Sequence, residues 1–370
     1  MNTTPTAPTS SRTDSGWRSS PITVVAESAY PEITAGPRVR VVEMGAHLQS
    51  HGVEIDFRPS ISNDEYALIS RGGFSPAKAV ALLRSAARAT RSERNFGALT
   101  LVHRLRSLVP WPRDDRPLDV YDFDDALYLG SGSSRQRRLG ALKLEARRCI
   151  NHMSSARLVL AGNHVLADAA RQHAKRIEVV PSCVDPALQA LREHRDVEVL
   201  TLGWIGSATT SSYLRPLLAV IGELHARGWP IRLVLMGASG LIRAPWIEHR
   251  PWSLSAERRM LTEVDVGLMP LPDDPWARGK CGYKLLRYFS AGVPAIASPV
   301  GVNTELIKGG GGLSASSPAD WSAAIAELAG DALTRREIGK RARRFVEREY
   351  SYQAWAPRVA ALFKELAGGR

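Results

Sequence analysis

Lys280, Lys284 and Arg287 stand in "GKCGYKLLRYFSAGVPAIASPVGVN" (279–303) at a spacing of four and then three. At about 3.6 residues per helical turn, that spacing lines three cations along one stripe. Gly279 and Gly282 clear space at a helix start, where free N–H groups favour anions, so the stripe can hold a phosphate. The same residues equally fit a solvated basic face. A second stretch, "GWIGSATTSS" (203–212), closes one predicted strand and opens a helix. Its Gly206, Ser207 and Ala208 let a phosphate approach the backbone, while Thr209, Thr210 and Ser211 offer caps; an ordinary tight turn is the alternative. In "YDFDDALY" (121–128), Asp122 and Asp124 fall on one side of a strand end and Asp125 on the other. Carboxylates there suit work on a bound ligand, although helix capping by Asp125 competes. "AGPRVR" (35–40) adds Gly36, Arg38 and Arg40 around Pro37 at the first strand-to-helix turn, again with solvated arginines as the plain alternative.

These groups need a scaffold, and the apolar patterning supplies one. Strands are expected at 22–28, 53–57, 98–104, 118–125, 157–162 and 177–181, with helices between several of them. One such helix carries Val41, Met44 and Leu48 and ends near Gly52. The stretch 185–196 is polar and unpatterned and reads as a linker. The alternation then restarts with strands at 197–206, 231–237, 264–271 and 294–298. A helix over 211–227 has Leu214, Leu217, Leu218, Ile221 and Leu224 on one face; another lies around 255–263. Strands alternating with helices at this interval imply parallel sheets. Two series in one chain imply two doubly wound α/β domains, which bind ligands at the carboxyl ends of their strands. The expected division is a disordered tail over 1–20, a first domain over 21–190, a second over 191–350 and a final crossover helix over 351–370.

Composition narrows the partners. The 370 residues exceed one ordinary core, and 44% hydrophobic content is ample for burial. Lysine and arginine outnumber aspartate and glutamate by 49 to 37, a net charge of +12 that favours anionic partners. Part of the excess lies in Arg84, Arg88, Arg91 and Arg94, on an alanine-rich helix that reads first as a solvated face and second as a contact with an anionic membrane. Cys149, Cys183 and Cys281 form no paired framework, which suits a reduced, cytoplasmic setting. Residues 1–20 have no apolar run and read as neither signal peptide nor anchor, so the chain is expected to fold without them. No GxGxxG follows either first strand, and HExxH and GxSxG are missing. "KGGGG" (308–312) lacks the Lys-Ser/Thr of a phosphate loop and reads as a flexible surface turn.

Taken together, "GWIGSATTSSYLRPLL", "KCGYKLLRYFSAGVPAIASPVGVNTE" and "LAGNHVLADAARQH…IEVVPSCVD" resemble the retaining glycosyltransferases of family 4, which have the GT-B fold. The likeness runs from about Thr23 to the final helix and is most specific between Gly203 and Glu305. It implies transfer of a sugar from a nucleotide-diphosphate donor, expected to be UDP-linked, to an acceptor hydroxyl. It also implies no metal and no cofactor, since the nucleotide sugar is a substrate. The final helix, "YSYQAWAPRVAALFKEL" (350–366), is then expected to cross back onto the first domain through Trp355, Val359 and Phe363.

On this resemblance the basic stripe becomes a diphosphate clamp, with Lys280 and Lys284 as its charges. The donor side comprises Gly206, Ser207, Gly282, Arg287, Gly301, Val302 and Glu305. The acceptor side comprises Gly36, Arg38, Asp125 and His103, with Asp124 facing the reacting sugar as hydrogen-bond partner or proton acceptor. Two departures stand out: the family's glutamate pair falls at Gly279 and Arg287, and the basic residue after the second domain's first strand is missing. Asp122-Phe123-Asp124 also matches the Asp-x-Asp pattern of metal-dependent glycosyltransferases of another fold, whose oxygens suit magnesium or manganese. Rival readings are a nucleotide-sugar epimerase on the same fold and a basic nucleic-acid-binding protein. No nucleic-acid motif supports the latter.

Overall fold

The computed structural model describes residues 21–71, 73, 75–91, 97–110, 118–130, 144–207, 210–238 and 243–369. The tail over 1–20, Arg94, and Ala208 and Thr209 of the 203–212 turn lie outside the described residues.

Two six-stranded sheets, parallel throughout, form the frame. The first has the order β2-β1-β3-β4-β5-β6, built from β1 (Ile22–Ser28), β2 (Val53–Pro59), β3 (Leu99–His103), β4 (Leu118–Phe123), β5 (Ala156–Ala161) and β6 (Ile177–Val179). The second has the order β12-β11-β10-β7-β8-β9. Its strands are β7 (Leu200–Ile205), β8 (Ile231–Met236), β9 (Ile247–Arg250), β10 (Val266–Met269), β11 (Ala295–Ala297) and β12 (Leu313–Ser314). Strands β4, β7 and β10 are buried along their whole length, as strands covered by helices on both faces must be. Between β6 and β7 the chain is irregular except for a short turn at Pro186–Leu188. This is the doubly wound α/β architecture expected from the patterning. The edge strands β9 and β12 were not anticipated, because four and two residues carry too little period to read.

The last helix, Tyr352–Gly368, crosses back to the first sheet. Tyr352, Ala356, Val359, Ala360, Phe363 and Leu366 share one core with Val24, Leu101 and Leu158 of β1, β3 and β5. Trp355 lies at the edge of that core. Among the described residues, no helix is long and apolar enough to cross a membrane.

Two local readings need correction. The segment from Ala35 to His51 is helical, but Arg38–Glu43 winds as a π-turn before Gly52 (φ 75°) ends it. That wider turn buries Arg38 and Arg40 rather than leaving them in solvent. The glycines of "KGGGG" are not a loose surface turn either. Gly309 and Gly310 complete the helix Asn303–Gly310. A Cβ there would come within 2.3 Å of Phe345 or 2.4 Å of Phe289, so these glycines let packed elements approach.

Candidate active site

Strand β4 delivers its aspartates where the two domains meet. Asp122 is buried, its carboxylate held by the Arg40 guanidinium (Nε to Oδ1, 3.1 Å, and a second, closer contact to Oδ2). His103 Nδ1, at the end of neighbouring β3, lies 2.7 Å from Asp122 Oδ1. Two residues on, Asp124 accepts from Arg104 Nε at 2.6 Å, and Asp125 accepts from Arg104 Nη2 at 2.7 Å. Arg104 sits at φ 61°, a region non-glycine residues rarely occupy, and its N–H donates to Asp122 O at 2.8 Å. The strand end is therefore over-determined, which is how sparsely populated backbone geometry persists at sites.

The second domain brings its cations to the same place. The helix Pro275–Arg278 ends at Gly279, and the helix Tyr283–Ser290 starts only after Gly282 (φ 66°). Lys280 thus stands on the connecting loop, not on the helix, and its Nζ reaches Asp125 Oδ1 at 3.1 Å across the cleft. Lys284 is on the helix, with Nζ 5.1 Å from the Trp204 ring centroid, and among the described residues it has no carboxylate within ion-pairing distance. Arg287 is not part of the stripe. It lies about 60° around the helix from Lys284 by helical geometry and is spent on buried Glu257 (Nε to Oε1, 2.6 Å) and Gln189. The expected stripe of three cations is therefore broken at both ends: the left-handed Gly282 leaves Lys280 on the loop, and Glu257 takes Arg287.

The interface between the domains is tight. Asn163, which caps the helix His164–Ala170, donates to Gly279 O (3.0 Å) and Lys280 O (3.2 Å). The Cys281 thiol donates to Asp124 O at 3.3 Å. A Cβ on Gly162 would fall 2.4 Å from Cys281 Sγ, and one on Gly279 would fall 2.7 Å from Ala126 Cβ. Gly162→Val is therefore expected to hold the domains apart. Small-angle scattering should show a larger radius of gyration, and thermal unfolding should change little. An unchanged radius with full closure would refute this reading of Gly162.

Electrostatics separates the two lysines. Burial lowers the Lys280 ammonium, but the charge and hydrogen bond of Asp125 more than offset it, leaving Lys280 above the usual lysine value. Burial and the like charge of Lys280 pull Lys284 down to about 7, with Asp125 opposing only weakly. Burial alone would raise Asp124, but the charge and hydrogen bond of Arg104, with the charge of Arg40 behind it, draw it well below the ordinary carboxylate range.

The remaining predicted residues divide. Gly36 belongs to the cluster, since a Cβ there would lie 2.8 Å from His103 Nε2. Gly206 packs on Trp204, and Ser207 N–H reaches Thr210 Oγ1 at 3.3 Å. Arg38 turns away from the aspartates: its guanidinium stacks 5.0 Å from the Trp252 ring centroid and donates to Ile33 O. The Cβ positions of Gly282 and Gly301 meet Leu306 and Arg278 O, so both glycines serve the chain's own packing. Val302 is half-buried, and Glu305 is exposed on the helix Asn303–Gly310. Sequence reasoning missed Arg104, Asn163 and Trp204. Arg104 directly follows a strand, but nothing separates it from the other basic residues in one dimension.

No family model and no curated protein matches this sequence. Solved structures do. Sucrose-phosphate synthase from Thermosynechococcus elongatus is 14% identical with a TM-score of 0.73, over 95% of this chain and 100% of that one. WaaG, a glycosyltransferase involved in lipopolysaccharide biosynthesis, is 13% identical at 0.63, over 92% and 99%. Anabaena HepE, solved with UDP and glucose, is 13% identical at 0.61, over 93% and 99%. What is shared at these identities is the fold: this chain has the two-domain GT-B architecture.

Proposed function

We propose that the protein transfers a sugar from a nucleotide-diphosphate donor to an acceptor hydroxyl, as a retaining, metal-independent enzyme of the family 4 kind. The observation that carries this reading is Lys284: a half-buried cation with no carboxylate partner among the described residues, beside a second lysine, at the head of a helix. A buried charge without a partner is costly, and a diphosphate supplies the missing partner. Both lysines lie where charge develops on the departing diphosphate, so they stabilise the transition state electrostatically. Asp124 and Asp125 face them from the first domain, on the side left for the acceptor. The Anabaena neighbour's UDP and glucose support a UDP-linked hexose as the first donor to try.

The Asp-x-Asp match weighs less than this. Asp122 and Asp124 are each engaged by an arginine, and among the described residues no group of three or more His, Cys, Asp or Glu is placed to hold a metal. Turnover is expected to survive a chelator; restoration by manganese after chelation would overturn the metal-free reading.

A thermal-shift panel of nucleotides and nucleotide sugars tests the function directly. A ligand at 100 times its Kd stabilises the folded chain by about 2.7 kcal/mol. Stabilisation by one nucleoside diphosphate and its sugars, with the anomeric configuration kept in the product, is the expected result. Donor turnover with no acceptor present would favour an epimerase. Binding that collapses steeply with salt and ignores nucleotide sugars would favour nucleic acid.

A further inference from the structure

We propose, building on the glycosyl-transfer reading, that His103 is a proton-holding residue behind Asp124: Asp124 touches the acceptor hydroxyl, and His103 Nε2 receives the proton passed through it. His103 is fully buried. Its Nδ1 lies 2.7 Å from Asp122 Oδ1, and Asp122 is held in turn by Arg40. An ionised carboxylate only accepts hydrogen bonds, so the proton of a neutral imidazole sits on Nδ1 and Nε2 is left bare. Among the described residues Nε2 has no hydrogen-bond partner, and it lies 3.8 Å from Asp124 Oδ1. Any side chain at Gly36 would press hydrocarbon onto that nitrogen, its Cβ falling 2.8 Å away. A buried, oriented, unpartnered nitrogen aimed at the carboxylate of the reaction cleft is the arrangement of a relay.

The relay answers a difficulty at Asp124. Arg104 makes that carboxylate a weak base, so it conducts a proton more readily than it keeps one. In the step, the hydroxyl oxygen uses a lone pair to bond the anomeric carbon on the face from which the diphosphate departs, so the configuration is kept. The anomeric C–O bond to the diphosphate breaks, and its electron pair leaves on the diphosphate oxygen. The hydroxyl proton moves to Asp124 and on to His103 Nε2, giving an imidazolium between Asp122 and Asp124. Release of that proton to the diphosphate or to water resets the site.

Two measurements on the full chain test this. With 15N-labelled histidine, the ring signals lost in His103→Gln should show, in the wild type at neutral pH, a protonated Nδ1 and a bare Nε2. The opposite tautomer, or a ring protonated on both nitrogens, overturns the proposal. With UDP-glucose as the probe donor, His103→Gln should lower kcat for UDP release by about 10²-fold or more while leaving KM and UDP stabilisation unchanged, since glutamine keeps polarity but holds no proton. An unchanged kcat against an active wild type overturns the role of His103 alone. A wild type that neither binds UDP nor releases it from UDP-glucose overturns the transfer reading and this relay with it.

Discussion

Replacing Lys284 with methionine is expected to raise the melting temperature of the free protein and to remove most of its affinity for a nucleoside diphosphate. Burial and the charge of Lys280 hold Lys284 at about 7, against 10.5 for a free lysine. Between those values the unfolded chain keeps a proton that the folded chain has shed, so stability rises with pH across this window. The penalty is fully present below about pH 7. Methionine fills similar space without the charge and removes the penalty. Because Lys284 keeps part of its surface open to the cleft, the gain is on the order of 1–3 kcal/mol rather than the full shift. The same change deletes a charge-assisted contact to the ligand, about 1.5–3 kcal/mol, or roughly 10- to 150-fold in Kd. Wild-type binding of UDP should take up a proton near neutral pH, visible by calorimetry in buffers of different ionisation enthalpy, and should weaken as pH rises past 7. A variant that melts lower and still binds UDP normally would show that Lys284 is structural.

Asp122→Ala is expected to be the most destabilising single change at the site. Its side chain is 4% exposed and that of Arg40 is 2% exposed, so alanine leaves a guanidinium buried without its carboxylate. Removing one partner of a buried pair costs about 3–5 kcal/mol, a large share of the roughly 5–15 kcal/mol that holds a typical protein folded. Urea unfolding should show the loss in the first domain. Arg40→Met combined with Asp122→Leu should recover much of it, because no charge is then stranded. The pH dependence has a definite sign. Asp122 is drawn below the ordinary carboxylate value, chiefly by Arg40 and then His103, against the opposing effect of burial, and Asp124 is lowered in the same sense by Arg104. Their stabilisation is complete above the unfolded-state value near pH 4 and drains away as pH falls through the lowered ones. Circular dichroism through an acid titration should place the wild-type transition below pH 4, and a transition near neutrality would contradict the pairing.

Much of this site was visible as residue types before any coordinates. Asp122, Asp124 and Asp125 stand at the end of an apolar strand, and alternation alone assigns the first two to one side of it. Lys280 and Lys284 sit beside glycines that announce a helix start. Arg287 shows where such reading fails. Its spacing from Lys284 puts it on a neighbouring stripe of the same helix, but Glu257, thirty residues earlier, captures the guanidinium. The glycines of 308–312 fail in the same way, since sequence shows their freedom and not the rings of Phe289 and Phe345 that occupy the space.

By itself, then, the sequence determined what depends on neighbours along the chain: the alternation of strand and helix, the two α/β series, the apolar face of the last helix and the strand end that presents the aspartates. Period, propensity and capping act over a few residues and can be read there. Only the tertiary structure decided which charges are paired and which are not. Lys280 meets Asp125 across 155 residues and Arg40 meets Asp122 across 82. Lys284, four residues on, meets no carboxylate among the described residues. Ion pairing and desolvation depend on distance in space and on burial, and neither quantity exists until the chain has folded and, for Lys280, until the two domains have met.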